Sequence, residues 1–475
     1  MFHDSTTDVL TTDSTTHDAT THDATTHDAT THDANTHERS TRRIRVRTTR
    51  LIDACCSVIA VHIVTDSFVS VRPGTSPTDH LVSGVVPIAA LAAIACGVRR
   101  VRAGAAALVA GLLGIAASIG GIGAPAAALF GGHLDAATVT GTIVVAAGLT
   151  LVLTGSVLAF RTRRSGGTRV RRYGRRLGRA ALSFALALLV AAPTGAGYVV
   201  ANRSGENRPT ADFGRDHLDV TLHTSDGLDI AAAYAPSENG AAVIVFPGRS
   251  ADQGKRRVQM LTRHGYGVLV LDQRGEGGSE GDPHLLGWTG ENDLRAAIDY
   301  LQARPDVEPG GIGGLGLSVG GELLLQTAAH DPRLCAVVSD GAGARWVAES
   351  IRTPFPAALL QLPFLGVTTV ATAIFSDSLP PARLEQLVGE IAPRPIFLIW
   401  TSRGVGGEWF NPNYYTAAGE PKTIWEIPES THIDGLATRP AEYERRVVEF
   451  FDTHLADPVA SGAGHVCTGA SEPSR

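Results

Sequence analysis

The sequence predicts an N-terminal all-α transmembrane bundle followed by a C-terminal α/β domain. Three observations predict it. Apolar residues fill 44% of the 475 positions and charged residues only 19%, more apolar character than one soluble domain of ordinary composition carries. The excess is concentrated between residues 81 and 201, in long uncharged runs. After residue 202 the composition turns ordinary, and short apolar runs alternate with amphipathic stretches, the pattern of strands and helices in turn.

The elements follow in chain order. Residues 1–50 form a polar tail built on a Thr-His-Asp-Ala-Thr unit, with His17, His22, His27 and His32 at equal spacing, followed by an arginine-rich stretch. Such a segment has little to bury and is expected to be disordered. A five-residue period puts successive histidines on no common helix face, so a metal site is not expected there. Residues 51–80 are ambiguous: Asp53, His62 and Asp66 oppose insertion, while Arg42, Arg43, Arg45, Arg47 and Arg50 suit a cytoplasmic flank.

Uncharged runs at 103–132, 136–160 and 180–201, and a shorter one at 81–98 carrying Pro87, show no polar face. Each is near or above the ~18–20 residues that a helix needs to cross a bilayer, so 81–201 is read as four transmembrane helices. Arg99, Arg100 and Arg102 follow the first run, and nine arginines from Arg161 to Arg179 separate the third from the fourth; residues 124–135 contain neither Lys nor Arg. By the positive-inside rule both arginine loops are cytoplasmic, which sends everything after residue 202 to the extracytoplasmic side.

A linker at 202–215 leads to the α/β domain, 216–456, and a polar tail at 457–475. Strands are expected at 217–223, 228–234, 241–246, 266–271, 312–317, 334–339, 395–401 and 422–427, with helices near 251–264, 290–304, 319–330 and 439–454. The formal charge of -6 offers nothing to nucleic acid. Five cysteines in no C-x-x-C pattern make neither a zinc site nor a disulfide framework.

The decisive stretch is Gly316-Leu317-Ser318-Val319-Gly320-Gly321, which ends an apolar strand and opens a helix. A nucleophile on so tight a turn has crowded backbone, which favours glycine at the flanking positions and presents Ser318 Oγ above the sheet. The Val319 N–H then points toward a developing oxyanion.

In this context the sequence resembles the α/β-hydrolase superfamily, in its serine esterase and peptidase-like branch. Asp272-Gln273-Arg274-Gly275-Glu276-Gly277-Gly278-Ser279 matches that branch's D-x-R-G-x-G-x-S turn after strand four. The resemblance covers about residues 216–455. It implies a Ser, acid, His triad in that chain order on a mostly parallel eight-stranded sheet, with a cap between strands six and seven. Pro247 stands where the branch usually has His, and the family's second oxyanion donor, a backbone N–H just after the following glycine, falls on Arg249. His330, His454 and His465 are badly placed for a base, whereas His432 follows the last strand in a loop and matches the family's histidine. The acid usually follows strand seven, where no Asp occurs and Glu408 is the candidate; Asp340, after strand six, is its rival. Asp272 and Arg274 read as residues that shape their turn. The cap, about 345–394, carries the apolar stretch 354–375, readable as packing on the domain, as a lid over an acyl pocket, or as an element touching the membrane. The function implied is ester hydrolysis through an acyl-Ser318 intermediate on a small-molecule or lipid-like substrate at the bilayer, with no cofactor or metal. The alternatives are a serine peptidase or acylaminoacyl-type amidase, and a non-catalytic receptor or scaffold.

Overall fold

The computed structural model describes residues 46–122, 136–161, 168–202, 212–248, 251–345, 349, 357–456 and 467. The polar tail up to residue 45, most of the linker, Arg249, part of the cap and nearly all of the C-terminal tail lie outside the described residues.

Among the described residues, five helices are long and apolar enough to cross a membrane. The first, α1 (Val46–Val69), covers the segment that the sequence left ambiguous. Its Asp53 pairs with Arg99 at 2.6 Å, which removes one obstacle to a helix at that point. Next come α2 (Leu81–Val98), α3 (Ala103–Gly121) and α4 (Ala136–Arg161); α5 runs from Arg169–Leu186 through a π turn, Ala187–Ala191, into Ala192–Asn202. Helix α3 stops short of the run read to residue 132. It packs against α4 through glycines: a Cβ on Gly114 would lie 2.5 Å from the Gly148 carbonyl oxygen. Helices that meet without a hydrophobic driving force pack through such small residues, which let the backbones touch.

One end of this bundle is arginine-rich, with Arg99, Arg100, Arg102 and the start of α5. The other end meets the α/β part. There the turn between α1 and α2 approaches Asp282, with Arg72 and His80 each 3.6 Å away, and the Gly281 N–H donates to the Pro73 carbonyl.

The α/β part is one eight-stranded sheet in the order β1-β2-β4-β3-β5-β6-β7-β8. Its strands are β1 (Leu218–His223), β2 (Asp229–Ala235), β3 (Ala242–Phe246), β4 (Gly267–Leu271), β5 (Ile312–Leu317), β6 (Ala336–Asp340), β7 (Ile396–Trp400) and β8 (Lys422–Glu426). The β1–β2 and β2–β4 pairs are antiparallel and all others parallel. Central strands β3, β4 and β5 are buried along their whole length, as expected of strands covered on both faces. Their side chains alternate between two cores: Ala242, Ile244 and Phe246 face one, with α7 (Glu291–Gln302) and α8 (Val319–His330), while Val243 and Val245 face the other, with α6 (Ala251–Arg263) and α11 (Pro440–Phe451). Short helix α10 (Asn411–Ala417) lies between β7 and β8.

Between β6 and β7 the cap contributes α9 (Ala357–Phe375). It packs on the bundle: Thr372 Oγ1 reaches the Gly197 carbonyl, and Phe375 meets Tyr198 edge to face at 5.2 Å. One disulfide joins Cys335 to Cys467. Cysteines 132 residues apart leave no spacing signature, which is why the sequence reading found no such bond.

Candidate active site

The parallel sheet brings the carboxyl ends of β3, β5, β6, β7 and β8 to one edge, and the candidate residues gather there. Ser318 sits between β5 and α8 with φ 55° and ψ −122°, a strained conformation for a residue with a Cβ. Close packing holds it: a side chain at Gly316 would overlap the Gly320 carbonyl, and one at Gly320 would overlap the Phe246 carbonyl. The Ser318 N–H donates to the Asp340 carbonyl at 2.8 Å, locking the turn to the end of β6.

His432 Nε2 lies 2.9 Å from Ser318 Oγ, and His432 Nδ1 lies 2.7 Å from Glu408 Oε2. Glu408 is almost fully buried, and its other oxygen accepts the Thr401 N–H at 2.8 Å. A buried carboxylate kept ionised needs such donors. The loop that carries it turns tightly enough that a Cβ on Gly404 would collide with the Glu408 carboxylate. Ser318, His432 and Glu408 thus form one hydrogen-bonded chain in which an imidazole can take a hydroxyl proton while a carboxylate steadies the resulting cation.

Asp340, the rival acid, is occupied elsewhere. It receives Arg257 Nη2 at 2.7 Å and the Tyr443 hydroxyl at 2.8 Å, all three side chains being buried. Burial works against the Arg257 charge, yet the neighbouring Tyr443 and Asp340 oxygens hold its pKa above the usual arginine value. Arg257 Nη2 also donates to the Ile433 carbonyl, so this pair braces the backbone beside His432, where Ile433 takes φ 55°. Sequence reasoning missed Arg257. Its position in an amphipathic helix carries no signal beyond an arginine on the helix face that also bears Leu261.

Val319 opens α8 directly after Ser318, and Gly248, with φ 60°, ends the described part of the loop after β3. Arg249 itself lies outside the described residues. Asp272 Oδ2 accepts the Gly278 N–H, and Ser279 Oγ donates to the Asp272 carbonyl, closing the turn after β4. Arg274 is buried between Asp293 and Asp226, at 2.6 and 2.8 Å. Both residues therefore shape the turn, in line with their expected part.

Residues 189–384 match the family model described as X-Pro dipeptidyl-peptidase (S15 family). The uncharacterized protein YfhR of Salmonella typhimurium is 28% identical over 253 residues, 50% of this chain and 82% of its own. Rv2307c of Mycobacterium tuberculosis is 29% identical over 230 residues, 46% of this chain and 72% of its own. Among solved structures, the Pyrococcus furiosus esterase Pf2001 is 20% identical, with a TM-score of 0.42, and is matched over 54% of this chain and 98% of its own. The sheet order, with the serine on the β5–α8 turn, decides the fold.

The C-terminal half has the α/β-hydrolase fold.

Within the hydrolase, two segments flank Ser318, and the first is tied to the helical bundle. His284 to Trp288 lies against the Ser318 turn, since a Cβ on Gly287 would sit 2.6 Å from Leu323 Cδ1 and 3.3 Å from Val319 Cγ1. The same segment is fastened to the top of α5, where the Leu285 N–H donates to the Val200 carbonyl at 2.9 Å. The second segment leaves β6 at Gly341, beside His432, and enters the cap; there Gly343 N–H donates to Glu322, and Arg345 pairs with Glu322 at 3.0 Å.

Proposed function

We propose that the protein is a membrane-anchored serine hydrolase that cleaves carboxylic esters through an acyl-Ser318 intermediate. The observation that carries this reading is the hydrogen-bonded chain from Ser318 Oγ through His432 to the buried Glu408. As Oγ attacks the ester carbonyl, its proton passes to His432 Nε2, and Glu408 stabilises the imidazolium. The Val319 and Arg249 N–H groups receive the oxyanion. Collapse expels the alcohol, which takes the proton from His432. Water, deprotonated by the same nitrogen, then releases the acid and restores Ser318.

The hydrolase stands on the extracytoplasmic side in this reading. Supporting it, the arginine-rich turns gather at the bundle end remote from the hydrolase, where the positive-inside rule puts the cytoplasm. A disulfide between Cys335 and Cys467 also suits an oxidising compartment.

Fluorophosphonate labelling tests the enzyme reading. The protein is expected to take the label on Ser318, and Ser318→Ala to lose both label and p-nitrophenyl butyrate hydrolysis. Undiminished labelling of Ser318→Ala would overturn the assignment. A second reading, serine peptidase, draws on the match to the X-Pro dipeptidyl-peptidase model. Turnover of a Gly-Pro p-nitroanilide above that of the ester would favour it.

A further inference from the structure

Helix α9 sits in the middle of the hydrolase sequence yet has the character of the membrane helices. From Ala357 to Phe375 it contains no charged residue, and at 1.5 Å per residue its 19 residues measure roughly 28 Å, close to the thickness of a bilayer's hydrocarbon core. Thr368 and Thr369 turn their hydroxyls back onto the Phe364 and Leu365 carbonyls at 2.9 Å, which satisfies both hydroxyls within the helix.

Its neighbours fix its course. Gly197 of α5 is opposed by Ala371, Thr372 and Thr368, so closely that a Cβ there would lie 2.5 Å from that of Ala371. Helix α9 also reaches the π turn Ala187–Ala191, so it runs beside α5 and in the same direction, from deep in the bundle up to the level of Tyr198. At that upper end Asp377 caps α2, accepting the Val82 and Ser83 N–H groups at 2.7 and 3.0 Å. On its outward face Leu359 and Val370 are 60% and 61% exposed. That face is continuous with those of α2 and α5, so whatever covers the bundle covers α9.

The chain leaving β6 passes His432 at Gly341, and the opposite flank of Ser318 is tied to Val200 of α5. One flank of the serine therefore adjoins the bundle's end.

We propose that α9 lies in the bilayer beside α5 and that Ser318 acts on a membrane-resident ester, one whose acyl chain stays among the lipid tails while its carbonyl rises to the serine. This rests on the serine-hydrolase reading and adds the substrate class.

The test uses the full chain in phosphatidylcholine nanodiscs. A photo-crosslinking amino acid at Leu359 or Val370 is expected to capture phospholipid, and the same group at Leu218, exposed on β1, to capture none. In the same discs, p-nitrophenyl palmitate and water-soluble p-nitrophenyl acetate are compared in the unaltered protein and in Val370→Asp. A buried charge in the bilayer is costly, so palmitate turnover should fall by about tenfold or more. Acetate turnover and fluorophosphonate labelling of Ser318 should change by less than about twofold. Absence of lipid adducts at both positions, or equal loss on both esters with labelling intact, overturns the proposal while leaving the hydrolase reading in place. If Val370→Asp also loses its label through misfolding, the milder Val370→Asn and the crosslinks decide. No labelling and no turnover in the unaltered protein would instead sink the hydrolase reading.

Discussion

Glu408 and Asp340 are both buried carboxylates at the same sheet edge, and their partners separate them. Glu408 faces His432, whereas Asp340 faces Arg257 and Tyr443. Glu408→Gln removes the charge that steadies the imidazolium, so kcat is expected to fall by up to ~10⁴-fold with little change in stability. Asp340→Asn leaves Arg257 charged in a dry site, for which breaking a buried pair costs about 3–5 kcal/mol. Its signature should be a lowered Tm with much smaller loss of turnover in the folded fraction. Thermal melts and ester kinetics on the two variants check the ranking, and a reversal would make Asp340 the acid. Ser318 and His432 were legible because local rules single them out, a crowded glycine turn for one and a loop after the last strand for the other. Glu408 was legible only through the lack of any aspartate nearby. Arg257 was not, because its role depends on β6 and α11 closing over it, contacts that no local pattern encodes.

At the scale of elements, the strands followed from apolar runs of the right length, and their ends agree with the sequence reading to within one or two residues. The cap did not follow so simply. Its apolar stretch was visible, but an apolar helix suits a sheet face, a pocket or a bundle equally well, and only the packing on Gly197 distinguishes them. Helix α1 was obscured because Asp53 was read without its distant partner Arg99. The bridge from His284 to Trp288 makes a pH prediction. Burial, helped by the positive charge of Arg345, lowers the His284 pKa to about 4, below the 6.5 of an unfolded chain. The unfolded state thus binds the extra proton. This contribution to stability is complete above pH 6.5, is lost as pH falls toward 4, and amounts to about 3 kcal/mol. His284 Nδ1 accepts the Leu286 N–H at 3.1 Å; His284→Asn keeps an acceptor there without titrating, so its Tm should fall less steeply between pH 6.5 and 4.5. Parallel slopes for the two proteins would show that His284 is already free to protonate when folded.

The whole molecule has two ends of unlike chemistry, arginine-rich turns at one and the hydrolase at the other, with five apolar helices, an odd number, among the described residues between residue 46 and the sheet. Alkaline phosphatase fused after Gly205 is accordingly expected to be active, and fused after Arg100 to be silent, with a cytoplasm-folding fluorescent protein giving the reverse. The opposite pattern would return the hydrolase to the cytoplasmic face. It would also conflict with the turn between α1 and α2, which touches Asp282 and so shares the hydrolase's side.

The bond between Cys335 and Cys467 divides the hydrolase into a part inside a covalent ring and a part outside it. It encloses β6, β7 and β8 with Glu408 and His432 in one ring of chain, and leaves Ser318 outside. A ring of this size removes about 5 kcal/mol of freedom from the unfolded chain in the entropic account. It cannot close until Cys467 has been synthesised and delivered. The base and the acid thus share a covalent ring, while the nucleophile is held to that ring by the hydrogen bond from its N–H to the Asp340 carbonyl. A chain cut short before Cys467 would keep all three side chains and lack the covalent closure that holds two of them as a unit.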